Sequence, residues 1–382
     1  MSQAKKTILF VHRWLGFVSG LVVFTVSITG CLFVFQDEIQ DMIHSYRRVE
    51  VQHKPFLAPS QLKPLALKHY PNGNPAFIAY YGNNRPAVVM TIVPKLGTRY
   101  IYLNPYTGQF LHDEDIARNF FIIVEYIHLY LLLPAEIGGL VVGISVIIFV
   151  VLLITGMVLW WPKRKNDRNR SFTIKWGGRW RRVNYDLHNV LGFYAFSISV
   201  ILGLSGLGIA FDWMRKTIYT TTNLGQIYAF EKQVVKSDSL QKATTMSIPP
   251  VDKAFAYTRA HSPEAQMFFV SEGDGKKDNT TTVTAYYTPM HYYRSDSYTF
   301  DQYNGKVLKT LLHQQKSPGR KMNDANYDIH VGQILGLPGK IIAFLASLVC
   351  ASLPVTGFIV WWGKRNKPKK EPKMRRPKLA VT

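Results

Sequence analysis

Four long apolar stretches divide the chain, at residues 8–35, 137–161, 190–211 and 341–362. Each exceeds the roughly 20 residues that a helix needs to cross the hydrocarbon core of a bilayer, so each predicts a spanning helix. After the first and third stretches the period changes. Residues 50–115 alternate apolar and polar side chains, notably at 87–93 and 99–103, and residues 225–315 do the same at 267–270, 282–288 and 298–305. Alternation with period two, broken by turn residues, predicts strands. The expected fold is an integral membrane α-helical protein, with four transmembrane helices and two small α+β extracytoplasmic lobes.

The pattern sets the expected boundaries. Transmembrane helices occupy 8–35, 137–162, 188–211 and 339–362, and the lobes 36–118 and 212–325. An interfacial helix occupies 119–133, a basic loop 163–187 and a basic tail 363–382. The first stretch is too long for a signal-peptide core and no small-residue cleavage site follows it, so it reads as a retained span.

Charge orients these spans. The net charge is +22. Residues 163–182 hold nine basic residues against one acid, and residues 364–378 another nine against one. Both blocks directly follow an apolar stretch, which is the positive-inside signature, and both lack the interleaved aromatics of a base-stacking surface. A nucleic-acid partner is therefore excluded and membrane lipid expected. Both termini are expected in the cytoplasm and both lobes outside it, in a bacterial inner membrane. The pairs Trp160–Trp161 and Trp361–Trp362 end two spans where indoles favour the interface. Cys31 and Cys350 each lie inside an apolar stretch and read as packing residues. No C-x-x-C-H occurs, so covalently attached haem is not expected.

The chain also repeats. His12, Leu15 and Gly16 recur as His188, Leu191 and Gly192 at an offset of 176, which also carries Gly30 onto Gly206. His128, Pro134, Thr155–Gly156 and Trp160–Trp161 recur as His330, Pro338, Thr356–Gly357 and Trp361–Trp362. An internal duplication of a helix–lobe–helix unit follows, with both copies running in the same direction.

Of eleven histidines, only His12, His188, His128 and His330 recur. The first two belong near the cytoplasmic face and the last two near the outer face. A lone histidine at a helix end is ordinarily an interfacial or capping residue. Two equivalent helices offering one imidazole each to a shared centre are different, because ionisable groups in spans are rare and usually functional. Zinc asks for three or four ligands, and no Cys, Asp or Glu cluster joins these pairs. A b-type haem asks for two axial ligands in an apolar pocket, and six-coordination leaves no open position for oxygen chemistry. Two b-type haems are therefore expected, with Gly16, Gly20, Gly192 and Gly203 letting a flat macrocycle approach. Phe17, Phe24, Phe149, Phe193 and Phe196 are expected to fill the space between the two centres. Asp186 and Asp328, two residues before His188 and His330, are expected as helix N-caps or as hydrogen-bond partners of the ligands. His44 has no counterpart in the repeat, since position 220 is Thr220, and His53, His69, His112, His261, His291 and His313 read as surface residues.

These motifs, together with Thr29–Gly30 and the turn Pro105-Tyr106-Thr107-Gly108, resemble the PepSY-associated transmembrane family, over about residues 5–365. Within it the chain resembles the iron-uptake branch, the FoxB-like siderophore reductases. The resemblance implies PepSY-like outer lobes, two b-type haems held by His12 with His188 and His128 with His330, and reduction of ferric siderophores in the periplasm with release of Fe(II). Arg13 would contact the cofactor, although Asn189 stands at its counterpart. His291, Tyr292, Tyr293 and Arg294, with Arg85, Tyr80 and Tyr81, are candidate substrate contacts for a hydroxamate chelate. The electron donor is either cytoplasmic or a quinol; no G-x-G-x-x-G after a strand and no Walker loop is present to bind a nucleotide. The competing expectation is a haem-free membrane scaffold or siderophore-transport accessory.

Overall fold

The computed structural model of the protein describes residues 2–162, 168–241, 247–273, 276 and 279–365. The first five residues of the basic loop, 163–167, and the tail from 366 onward lie outside the described residues.

The chain order is α1 (Gln3–Phe33), α2 (Gln36–Ile43), α3 (Pro59–Leu67), β1 (Asn74–Tyr80), β2 (Ala87–Val93), β3 (Gly97–Leu103), β4 (Phe110–Asp115), α4 (Phe120–Tyr130) and α5 (Ala135–Trp160). There follow α6 (Arg168–Phe172), α7 (Trp180–Asp186), a π-helical turn (Leu187–Leu191), α8 (Gly192–Ala210), α9 (Asp212–Thr222) and α10 (Ala229–Lys232). The chain continues with α11 (Pro250–His261), β5 (Met267–Ser271), β6 (Thr280–Tyr286), β7 (Ser295–Asp301), β8 (Val307–Leu311), α12 (Pro318–His330) and α13 (Gly336–Arg365).

Among the described residues four helices are long and apolar enough to cross a membrane: Gln3–Phe33, Ala135–Trp160, Trp180–Ala210 and Gln333–Gly363. The third starts well before the expected 188. Basic and aromatic residues at 180–186 form α7, which runs through the π turn into α8, so His188 lies inside a continuous helix instead of opening it. The helices form a ring in which α1 neighbours α5 and α13, and α8 neighbours the same two. Glycines bring the walls together: a Cβ on Gly20 would stand 3.3 Å from Pro354 Cβ, and one on Gly203 3.0 Å from Val150 Cγ2. These two glycines serve helix–helix approach rather than the expected cofactor cradle. Phe17 and Phe193 pack against Trp361 (ring centres 5.0 Å apart) and Trp160 (4.0 Å), near the ends of α13 and α5.

The two expected lobes are one body. Eight antiparallel strands form a single sheet in the order β4-β3-β2-β1-β5-β6-β7-β8, joined where Ile78, Ala79 and Tyr80 pair with Val270, Phe269 and Phe268. Separate lobes would each leave β1 or β5 as an edge of unpaired amides and carbonyls, and pairing removes both edges. α3 and α11 contribute Leu62, Ala66, Ala254 and Phe255 to a core with Ile78, Val89, Val270, Val283 and Phe300. The β3–β4 and β7–β8 turns are alike. Asn104 Oδ1 accepts from the amides of Tyr106 and Thr107, Asp301 Oδ1 from those of Tyr303 and Asn304, and Gly108 and Gly305 both take φ 72°. That left-handed conformation favours glycine.

Candidate functional site: four histidines on hydroxyl–glycine seats

Each recurrent histidine rests on a neighbouring helix in the same way. His12 Nδ1 lies 2.9 Å from Thr155 Oγ1, and His188 Nδ1 3.0 Å from Thr356 Oγ1. His128 Nδ1 lies 3.1 Å from Thr29 Oγ1, and His330 Nδ1 3.0 Å from Ser205 Oγ. The residue after each hydroxyl is glycine. A Cβ there would stand 3.4 Å from the Cε1 of His12 (Gly156) and His128 (Gly30), and 3.1 Å from that of His188 (Gly357) and His330 (Gly206). The hydroxyl holds the ring, and the absent side chain makes room for it.

This bonding sets the tautomer. The Thr155, Thr356, Thr29 and Ser205 hydroxyls each donate to a carbonyl one turn back, at Val151, Ser352, Thr25 and Ile201. Their oxygens are left to accept, so Nδ1 carries the proton. Val26 O (2.9 Å) and Leu202 O (3.1 Å), which can only accept, reinforce this at His128 and His330. The Nε2 lone pair therefore points away from the seat, and among the described residues no hydrogen bond reaches Nε2 of any of the four. A ligating imidazole with a fixed second nitrogen has this arrangement.

Two of the rings meet. His128 and His330 have ring centres 6.1 Å apart. Two imidazoles sharing one metal ion stand about 6 Å apart, given bonds of about 2.0 Å from metal to nitrogen and about 1 Å more to each ring centre. His12 and His188 come from the diagonally opposed α1 and the turn that leads into α8. On both helices 17 residues separate histidine from seat, His12 to Thr29 and His188 to Ser205. At 1.5 Å per residue the pairs are about 26 Å apart along the bundle.

The remaining donors suit a flat dicarboxylate cofactor at the His12 end. Arg13 Nε is buried without a hydrogen-bond partner, while its guanidinium lies 5.7 Å from the Phe10 ring centre and 5.9 Å from that of Trp14. Gly16, one turn above His12, has nothing within 4 Å of where a Cβ would be. Asn189, the counterpart of Arg13, instead donates to Tyr185 O, so the two ends are not equivalent. Among the described residues no group of three His, Cys, Asp or Glu gathers as a metal cluster. A two-ligand macrocycle fits this donor set.

Other expected residues have structural places. Asp186 is not an N-cap: it ends α7 and accepts from Arg182 Nε at 2.7 Å. Asp328 lies within α12 and accepts from the amides of Tyr292 (2.8 Å) and Tyr293 (2.7 Å) and from Gln333 Nε2 (2.5 Å). Neither carboxylate touches a histidine, because hydroxyls already occupy the Nδ1 positions. The stretch from His291 to Arg294 is a strap on α12. His291 approaches Pro289 O (3.0 Å) and Gln333 O (3.2 Å), Tyr292 packs against Phe269, Tyr286 and Tyr327, and the exposed Arg294 lies 4.2 Å from the Tyr287 ring centre. Tyr80 is in the sheet core with its hydroxyl on Leu57 O, Tyr81 packs on Phe269, and Arg85 is paired with Asp41. His112, expected at the surface, is half-buried and stacks on Tyr46 with ring centres 4.0 Å apart. The hydroxyls of Thr29, Thr155, Ser205 and Thr356 escaped notice as ligand-orienting groups; one hydroxyl–glycine step near an end of every span was the signal.

Comparison with known families matches residues 9–364 to the PepSY-associated TM region. No curated protein matches the chain.

Proposed function

Since the chain belongs to the PepSY-associated transmembrane family and is a multi-pass membrane protein, we propose that it is a di-haem b oxidoreductase of the inner membrane, reducing ferric siderophores in the periplasm. The observation that carries this reading is the set of four imidazoles fixed at Nδ1 and free at Nε2, two at each end of one bundle. A bound haem supplies one-electron transfer with no open coordination position. The chain's own residues do the rest. His12 with His188 and His128 with His330 would hold the two irons, the seat hydroxyls would keep Nε2 aimed inward, and Arg13 Nε would bind a carboxylate.

The basic segments after α5 and α13 orient that end toward the cytoplasm. The eight-stranded body then faces the periplasm as two duplicated, PepSY-like halves, where a ferric hydroxamate is the substrate. Reduction releases the metal because Fe(II) is held more weakly than Fe(III) by hard oxygen donors.

The test is the purified protein's visible spectrum, followed by stopped-flow reoxidation. A six-coordinate low-spin spectrum, with dithionite-reduced protein reoxidised by a ferric hydroxamate and Fe(II) captured by a ferrous chelator, supports the reading. A colourless protein that leaves the chelate ferric overturns it in favour of a haem-free scaffold or siderophore-transport accessory.

A further inference from the structure

We infer that the His12–His188 end of the bundle binds a lipid-borne hydroquinone, one of whose hydroxyls donates to Asn184 Oδ1. This rests on the oxidoreductase reading and assigns its electron donor. Asn184, on α7, is 1% exposed. Its Nδ2 donates to Thr356 O at 3.0 Å, and its Oδ1 is buried with no partner. Exchanging the two amide atoms would set oxygen against a carbonyl oxygen, so the orientation is fixed. Thr356 also holds His188 through its hydroxyl, so this unbonded acceptor and the ligand pair are anchored to one residue of α13.

Asn184 is not part of the repeat: its counterpart at an offset of 176 is Ile8. It therefore serves something present once. An unsatisfied buried acceptor is costly, so a donor is called for. The ionised carboxylates of a cofactor offer only acceptors and are matched by Arg13. What satisfies Oδ1 is a hydroxyl. An aromatic cluster lies further along α13: Phe358 and Trp361 follow Thr356, Phe17 lies 5.0 Å from Trp361 between ring centres, and Trp14, 5.8 Å from Phe17, is 51% exposed. A ring-shaped, lipid-borne ligand carrying hydroxyls matches both the unbonded acceptor and this aromatic cluster on the same helix.

The chemistry balances. A hydroquinone loses both O–H protons to the aqueous basic face and two electrons, becoming the quinone. Two ferric chelates take one electron each and become ferrous.

The experiment uses the purified holoprotein, a fluorescent hydroxyquinoline N-oxide as hydroquinone analogue, and decyl-ubiquinol as reductant. Analogue binding is read by its fluorescence quenching and haem content by the dithionite spectrum, so absence of haem, which overturns the oxidoreductase reading, is seen separately. Wild type should bind the analogue and be reduced anaerobically by decyl-ubiquinol. Asn184→Leu and Asn184→Ala, with the dithionite spectrum retained, should bind it about tenfold more weakly, the loss of one hydrogen bond. Equal affinity in wild type and both variants would mean that Oδ1 meets only water and would overturn the proposal, as would a wild type that binds no analogue.

Discussion

A hydroxyl and a missing Cβ decide where the free Nε2 of each of the four imidazoles points. The hydroxyl satisfies Nδ1, and glycine lets the ring lie flat on the helix. The four seats are not equally roomy, which gives a prediction. At Gly206 and Gly357 an added methyl would stand 3.1 Å from Cε1, closer than ordinary contact, whereas at Gly30 and Gly156 it would stand at 3.4 Å. Gly206→Ala should therefore displace His330 and Gly357→Ala should displace His188, and under the di-haem proposal each variant loses the haem of the displaced pair. Each should bring the haem-to-protein ratio from about two toward about one. Gly30→Ala and Gly156→Ala should keep both haems. Pyridine haemochrome assay per chain checks this, and unchanged ratios in all four variants would exclude the seats as ligand supports. The histidines were legible in the sequence because they repeat. Their hydroxyl partners were not, because Thr155 and His12 are 143 residues apart and only packing joins them.

At the scale of elements, a charged cluster ties the sheet to the bundle. Asp41 on α2 accepts from Arg47 Nε at 2.7 Å and from Arg85 in the β1–β2 hairpin, and Lys340 of α13 bonds Glu38 of α2 at 2.7 Å. Burial raises the Asp41 carboxyl, but hydrogen bonds from the two arginines outweigh it and hold the group below its ordinary value. A carboxyl depressed in the folded state stabilises above its unfolded pKa, and that stability is lost as pH falls through the folded value. Asp41→Asn should therefore lower the melting temperature at pH about 7, where about 2 kcal/mol of charged hydrogen bonding is lost. The gap to wild type should close below about pH 4, near the ordinary Asp pKa. Thermal unfolding in detergent across pH measures both limbs; a gap independent of pH would show that Asp41 acts by packing alone. Asp186 and Asp328 teach the complementary lesson. Their sequence positions matched N-caps, yet helices begin before both, so each carboxylate bonds to groups that local spacing does not reveal.

At the scale of the whole molecule, the proposed orientation rests on charge placed beside the spans. A reporter fused after Arg179 should be active only in the cytoplasm, and one inserted at Asn83, in the β1–β2 hairpin, only outside; alkaline phosphatase and fluorescent-protein fusions distinguish the two, and the reverse pattern would invert the proposed direction of electron flow. What the sequence determined by itself was whatever depends on local period and count: four spans, period-two strands, matched turns at Asn104 and Asp301, and the repeated histidines. Hydrophobic length and alternation are written along the chain and need no distant partner. The tertiary structure alone decided the merging of two lobes through β1 and β5, the diagonal placement of α1 and α8, the hydroxyl–glycine seats and the unbonded oxygen of Asn184. Each of these is a pairing between segments far apart in the chain, chosen by which edges, lone pairs and gaps remain once every local element has formed.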